Sequence, residues 1–377
     1  MSLPAGDPAE LHLVAAARPN LPKLAALWHA LDETGLPLRP VLLHTGQHHD
    51  AALFGDHLAQ LGLPPPGISL GIAGGGGHAA LIGRTMMAAA ACWEARRPAC
   101  VIVPGDVDGA LAAALAARTL GLPVAHLEAG LRCPEAEPGG HSDEDMPEEI
   151  NRRAIDAVAS LHWAPDEASA ARLRAEGRPA GRVRAVGNAM VDTLLRQLPS
   201  ARDRPLPPGL QPRRFGVVTL HRAANVDDPA ALASLLDGLA GAARLLPLAW
   251  PLHPRTAARM DRWGLAMPAG ILGLPPLSYL DFLGLLARAR LVATDSGGVQ
   301  EEATALDLPC LTLRPSTERP LTLAAGSNRL VAAAGLPAAV AAVLAGDWPR
   351  ARPIPLWDGR AGARMAAHLG AFLRRPA

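Results

Sequence analysis

Along most of the chain, short runs of consecutive apolar residues alternate with longer stretches in which apolar positions recur at helical spacing. This is the rhythm of strands buried on both faces and joined by amphipathic helices. In the first half, Leu11–Ala16, Pro40–His44, Cys100–Val103, Val124–Leu127 and Val183–Val186 predict strands, with helices such as Ala79–Ala95 and Ala110–Leu120 between them. A crossover follows each strand, so the strands are expected to pair in parallel. The second half repeats the pattern, with strands near Phe215–Thr219, Ala249–Leu252, Leu291–Thr294 and Cys310–Leu313 and a helix at Tyr279–Ala289. Between the halves, Leu198–Pro212 (LPSARDRPLPPGLQP) interrupts the period and has the composition of a linker. The expected fold class is α/β: two Rossmann-like, doubly wound domains facing across a cleft. The first covers residues 1–197 and the second 213–360, and a helix at Ala361–Arg374, within 361–377, is expected to pack back on the first.

Composition narrows the class. With 377 residues and 49% hydrophobic content, the chain can bury two ordinary α/β cores. Its 36 Lys+Arg nearly cancel 35 Asp+Glu, so no global field draws it to nucleic acid or an anionic membrane, and any anion must be captured locally. The four cysteines, Cys92, Cys100, Cys133 and Cys310, lack CxxC spacing, which argues against a disulfide framework or a thiolate zinc site. The N-terminal segment lacks a basic stretch leading into an apolar one, and no run reaches the length of a membrane span. A cytoplasmic protein without membrane or nucleic-acid partners is expected.

Polar residues suited to chemistry collect at predicted strand ends, where open α/β sheets bind ligands. In TDSGGVQEEA, Thr294–Ala303, an apolar strand ends in Asp295, Ser296, Gly297 and Gly298, and a helix begins at once. Glycines admit a ligand close to the backbone, and the free N–H groups of a helix N-terminus favour a phosphate. Glu301 and Glu302, one turn in, are placed to reach a ribose diol; the plainer alternative is a strand-to-helix turn with Ser296 as N-cap. His221 in TLHRAAN, His253 and Arg255 in LHPR, and Glu318 and Arg319 in STERP add a cationic set facing a diphosphate.

The first domain carries a second set. Arg18 and Lys23 follow the first strand, HTGQHH the second, Asp106 (PGDVDGA) a later one and Glu128 (HLEAGLR) the next, while MPEEINRR places Glu148 and Glu149 at a helix start beside Arg152. Carboxylates converging on one sheet edge repel, so one or more is expected to have a raised pKa and to act as general acid or base. His44, His48 and His49 have no HExxH-type companion and give no metal site, and the Gly-rich run Ala73–His78 lacks the Lys-Ser/Thr of a P-loop and is read as a flexible loop.

In order along the chain, ARPN..K, TGQH, GDV, EAGLR, MPEEINR, VGNAMVDTL, TLHR..NVDDP, HPR, TDSGGVQEEA and STERP resemble the non-hydrolysing bacterial UDP-N-acetylglucosamine 2-epimerase family, from about Ala16 to Leu330. The resemblance implies a two-domain fold of the GT-B type. It implies interconversion of UDP-GlcNAc and UDP-ManNAc by elimination of UDP and re-addition through 2-acetamidoglucal, without a metal or nicotinamide cofactor. By motif, Asp106, Glu128 and Glu148 match the catalytic acidic positions, and His221 matches the histidine that aids the departing diphosphate. Arg18, Lys23, Ser296, Gly297, Gly298, Glu302 and Arg319 match UDP-binding positions, and Gln47 and His48 match residues of a second, regulatory UDP-GlcNAc site. A homodimer is implied as well.

The sequence also departs from that family. Gly109 and Ala110 follow Asp108 where a hydroxyl-bearing pair is usual, which removes hydrogen bonds expected near Asp106. An acidic stretch, Cys133–Asp145, is longer than in relatives and is read as a surface excursion rather than a lid. These departures fall in the first domain, so the alternatives are a hydrolysing epimerase or an enzyme for a modified UDP-sugar, with a non-catalytic UDP-sugar sensor as a third class.

Overall fold

The computed structural model describes residues 8–46, 51–72, 74–132 and 146–374. Gln47, His48 and the Cys133–Asp145 stretch lie outside the described residues. Two compact units emerge, one made of Met1–Thr193 with Pro355–Ala377 and the other of Leu194–Ile354.

The first unit runs β1 (Ala9–Ala15), α1 (Asn20–Thr34), β2 (Leu38–His44), α2 (Ala51–Gln60), β3 (Ile68–Ser69), α3 (Gly77–Ala95), β4 (Cys100–Pro104), α4 (Asp108–Thr119), β5 (Val124–Leu127), α5 (Pro147–Val158), β6 (Leu161–Ala164), α6 (Glu167–Ala175) and β7 (Val183–Ala185). Helix α7 (Ala189–Arg202) carries the chain into the second unit. There follow β8 (Gly216–Thr219), α8 (Ala223–Val226), α9 (Pro229–Ala243), β9 (Leu248–Pro251), α10 (Pro254–Trp263), β10 (Ile271–Leu274), α11 (Tyr279–Arg288), β11 (Leu291–Thr294), α12 (Gly297–Ala305), β12 (Cys310–Thr312), α13 (Pro320–Ala325), β13 (Asn328–Leu330) and α14 (Leu336–Ala345). Helix α15 (Ala361–Leu373) belongs again to the first unit.

Both sheets are parallel and wound in the same way: β3-β2-β1-β4-β5-β6-β7 in the first and β10-β9-β8-β11-β12-β13 in the second. In each, the chain starts in the middle and works outward in both directions. The strand order therefore reverses between β1 and β4, and between β8 and β11, the crevice positions at which such sheets take ligands. The central strands are apolar on both faces because helices cover both; every residue of CVIVP in β4 and LVAT in β11 is buried.

With few aromatics to fill space, alanine does much of the packing. In α4 the run from Ala110 to Ala114 is wholly buried, and Ala110, Ala113 and Ala114 sit in one apolar cluster with Trp93 of α3 and Val101 and Val103 of β4. In the second unit Trp250 and Leu239 anchor one side of the sheet, and Phe215 and Leu286 the other. Helix α15 is fastened by its main chain and flank: Gly362 N–H donates to Asp192 Oδ2 at 2.8 Å, and Arg364 donates to the Val186 carbonyl at 3.0 Å.

Some elements differ from the expectation. β6 (LHWA) escapes an apolar-run reading because His162 interrupts it, yet His162 is buried, with Nε2–H donating to the Asp156 carbonyl at 2.8 Å. β10 and β13 are short strands at the sheet edge, one broken by Gly273 and the other carrying Asn328 and Arg329. Helix α7 continues through Pro199 to Arg202, into the stretch read as linker. A proline there forgoes one backbone bond, and the fully buried Ala201 keeps the last turn packed.

Candidate active site

In the first unit the site residues stand at the carboxyl ends of β1, β4 and β5. The turn after β1 is closed by Asn20, whose Oδ1 accepts from Ala16 N–H at 3.1 Å and Ala17 N–H at 2.8 Å, while its Nδ2 donates to the Pro104 carbonyl at the end of β4. That clamp holds the two strands at the switch point together, with Arg18 exposed at its tip. Lys23, one turn into α1, donates to Glu128 Oε2 at 2.6 Å. Glu128 adopts φ 70°, an uncommon left-handed conformation for a residue with a side chain. The strain is offset by tight anchoring: the N–H groups of Glu128 and Ala129 both donate to the Trp163 carbonyl at 3.1 Å, and Gly130 N–H donates to the buried Asp156 at 3.0 Å. Gly105 stands beside this pair at φ 68°, a left-handed backbone that a side chain would strain, and a Cβ there would press on Lys23 Nζ at 3.3 Å.

Asp106 is paired with Arg152, which also donates to Glu149 Oε2 at 2.6 Å; Arg153 reaches Glu149 Oε1 at 2.8 Å. Asn151 donates at once to the Asp106 carbonyl (2.9 Å) and to Asp108 Oδ1 (3.0 Å). The family-like hydroxyls are absent from Gly109 and Ala110, but Asp106 is held nonetheless, by Arg152 and Asn151. Of the two adjacent glutamates, Glu148 is exposed and Glu149 fully buried.

The expected mutual repulsion of these carboxylates is corrected by the structure. Asp106 and Glu149 share Arg152 and Glu128 takes Lys23, so opposite charge offsets the crowding of these three. Part of the Gly-rich run is likewise ordered: Arg84 donates to the Gly75 carbonyl at 2.6 Å, and His78 Nδ1 lies 2.8 Å from Asp108 Oδ2. Ala73 lies outside the described residues.

In the second unit, Asp295 follows β11 and is fully buried under the turn after β8. Its oxygens accept from the main chain of His221 (3.2 and 3.1 Å) and Arg222 (3.0 Å) and from Asn225 Nδ2 (3.0 Å). Ser296 occupies the N-cap position of α12 but its side chain makes no capping bond; its own N–H donates to Thr294 Oγ1 at 3.0 Å. Gly297 allows the STERP loop to approach, because a Cβ there would stand 2.8 Å from Glu318 Oε1. Gly298 follows in the partly exposed first turn of the helix.

Glu318 gathers guanidinium groups, Arg222 at 3.0 Å and Arg314 at 2.6 Å. Burial alone would raise its pKa, but Arg319, Arg222 and Arg314 together bring it down to about 2. Arg319 Nε also lies 3.0 Å from Glu301 Oε1. Glu302, by contrast, is 5% exposed; burial first, and the neighbouring charge of Glu301 second, push its pKa up to about 8.

His253 caps α10 through Nδ1, which accepts from Arg255 N–H at 3.2 Å, and its ring lies 6.1 Å from that of His221. The Arg255 side chain pairs with Asp227, away from the cations on Glu318. Arg222 and Arg314 therefore join Arg319 where the sequence pointed to Arg255. Neither carries a motif of its own; TLHR placed Arg222 in view, but its direction depends on Glu318, far along the chain.

A family profile described as UDP-N-acetylglucosamine 2-epimerase matches residues 29–370. The chain belongs to this family. The UDP-2,3-diacetamido-2,3-dideoxy-D-glucuronate 2-epimerase of Pseudomonas aeruginosa is 38% identical over 325 residues, covering 85% of this chain and 88% of that protein. The UDP-N-acetylglucosamine 2-epimerase of Methanocaldococcus jannaschii is 35% identical, with 85% and 88% covered. The crystal structure of the M. jannaschii enzyme in complex with UDP-GlcNAc and UDP superposes with a TM-score of 0.82 at 32% identity, covering 96% of this chain and 99% of that one. The family relationship makes the protein a UDP-sugar epimerase, and its two doubly wound α/β domains are GT-B-like.

Among the described residues no helix is long and apolar enough to cross a membrane, and no group of three or more His, Cys, Asp or Glu is placed to hold a metal ion. Cys92, Cys100 and Cys310 are free, and burial pushes the thiols of Cys100 and Cys310 up to about 12, so they stay protonated.

Proposed function

We propose that this protein interconverts UDP-GlcNAc and UDP-ManNAc by eliminating UDP and adding it back through a 2-acetamidoglucal intermediate. The observation that carries the proposal is the cation-paired carboxylate set of Asp106 and Glu128 at one sheet's switch point, in a chain whose other sheet presents an arginine cluster and a buried, unneutralised Glu302. The second unit is assigned the nucleotide: Glu302 the ribose, and Ser296, Gly297, Gly298 and Arg319 the diphosphate, with Arg18, Lys23 and His253 as further binding residues.

The carboxylates act on the sugar. One of Asp106, Glu128 and Glu148 takes the C2 proton; the C1–O bond breaks with its electron pair passing to the diphosphate oxygen, and a C1–C2 double bond forms. Negative charge develops on UDP, where His221, arginines and helix N–H groups stabilise it. In the return step UDP adds to C1 while a carboxylic acid delivers a proton to the opposite face of C2. A cytoplasmic homodimer, with Gln47 and His48 in a regulatory UDP-GlcNAc site, completes the proposal.

A second substrate, a UDP-2,3-diacetamido uronate, is favoured by the P. aeruginosa relative. Proton NMR of the protein with UDP-GlcNAc in D₂O tests the choice. UDP-ManNAc with deuterium at C2 is the expected product. Free N-acetylmannosamine plus UDP means a hydrolysing enzyme, and an inert UDP-GlcNAc beside a reactive diacetamido uronate means the second substrate.

A further inference from the structure

Each unit keeps one buried aspartate beside a histidine, and the two pairs are built for different ends. In the first unit His126 is 0% exposed; Nδ1 lies 2.7 Å from Asp156 Oδ1 and Nε2 lies 2.9 Å from the Gly105 carbonyl. A carbonyl oxygen accepts only, and so does an ionised carboxylate, so both ring nitrogens donate and the ring is committed to holding the Glu128 turn. Asp156 is ionised to match: burial would raise its pKa, but His126 and Arg132 bring it to about 2.

In the second unit His221 Nδ1 lies 3.2 Å from Asp295 Oδ1, and the side chain is 42% exposed against 0% for Asp295. The other groups on Asp295 are neutral donors, two main-chain N–H groups and the Asn225 amide. The charged groups nearby are already turned elsewhere: the Arg222 guanidinium to Glu318, and Arg255 and Arg259 to Asp227. His221 is thus the ring that faces this buried carboxyl, and it does so through Nδ1. His253 is fixed the other way: its Nδ1 accepts from Arg255 N–H, so in the neutral ring the proton sits on Nε2.

We propose that Asp295 is a positioning residue for His221. It keeps a proton on Nδ1, so that Nε2 is the ring atom free to exchange a proton with the diphosphate, while His253 stands beside it as a fixed Nε2–H donor. This rests on the epimerase proposal above. As the C1–O bond breaks and its electron pair passes to the diphosphate oxygen, the proton on Nε2 of the imidazolium moves to that oxygen, leaving a neutral ring protonated on Nδ1. Re-addition returns the proton to Nε2.

The test has a spectroscopic arm and a kinetic arm. In ¹⁵N–¹H spectra of the full chain labelled at histidine, with His221 assigned by the signal lost in His221→Gln, the neutral ring is expected as the Nδ1–H tautomer and His253 as Nε2–H. A neutral His221 protonated on Nε2 overturns the proposal, and this readout survives even if the protein turns over no UDP-sugar. Kinetically, Asp295→Asn is expected to lower kcat by about 10²–10⁴-fold, as when a histidine loses its orienting carboxylate, with UDP binding changed by less than about threefold and the acid limb of the pH profile displaced. In a His221→Gln background the same substitution should cost less than about threefold more, since residues acting as one unit are not additive. Equal losses in both backgrounds would show that Asp295 acts without His221. Should Asp295→Asn fail to fold, the wild-type tautomer decides.

Discussion

The two sheet edges handle buried charge in opposite ways. At the first, the carboxylates are matched to cations as they are buried: Lys23 on Glu128, and Arg152 shared by Asp106 and Glu149. At the second, Glu318 absorbs the surrounding guanidinium groups and is held near a pKa of 2, while Glu302 on α12 is left to desolvation and the charge of Glu301 and rises to about 8. Paired charges fix carboxylates in place, which suits groups proposed to move protons at a defined carbon. An unneutralised buried carboxyl is suited to a polar ligand that supplies the missing hydrogen bonds.

The largest effect is expected where the first edge is proposed to act. Asp106→Asn should lower the rate of C2 proton exchange by about 10²–10⁴-fold, with UDP binding retained, as read by NMR in D₂O and by calorimetry; unchanged exchange would remove Asp106 from the chemistry. Glu149→Ala takes a fully buried carboxylate partner away from the buried Arg152, and should cost about 3–5 kcal/mol of stability in denaturant unfolding. A loss below about 1 kcal/mol would mean that the pairing at the first edge is ornamental to the fold.

For Glu302 the sign reverses. Its pKa is raised on folding from 4.5 to about 8, so the stability it contributes is fully present below about pH 4.5 and is lost as pH rises through 8. Stability should therefore fall by an amount on the order of a few kcal/mol between pH 5 and 8.5, read as a lower thermal unfolding midpoint, and Glu302→Gln should flatten the slope. A wild-type slope unchanged by that substitution would assign the trend to other groups. Glu302→Ala should weaken UDP affinity by about 1–3 kcal/mol, measured by calorimetry, and equal affinity would place the nucleotide elsewhere. The smallest effect is expected at His78, whose contact with Asp108 is largely exposed: His78→Ala should change kcat/KM by less than about fivefold, the scale of a surface pair.

Much of this was legible along the chain. β5, Val124–Leu127, and β11, Leu291–Thr294, coincide with their apolar runs because a strand covered on both faces needs nothing but apolar residues. β6 was not legible, because a buried histidine reads as polar until its partner, the Asp156 carbonyl, is known. The candidate residues were found at strand ends by motif, but Asn20, which clamps β1 to β4, and Asp295, which underlies the His221 turn, looked like ordinary members of ARPN and TDSGG. Their importance lies in bonds to main-chain atoms of distant strands, which no local pattern records.

The sequence by itself determined the parallel α/β alternation, the membership in the epimerase family and the set of polar residues at strand ends, because periodicity and short motifs are local and survive in one dimension. Only the tertiary structure decided which charges meet. Lys23 and Glu128 are 105 residues apart and Arg222 and Glu318 are 96 apart; of two neighbouring glutamates one is exposed and one fully buried. Coulomb energy and desolvation depend on distance and surroundings in space, and those are set when the sheets assemble.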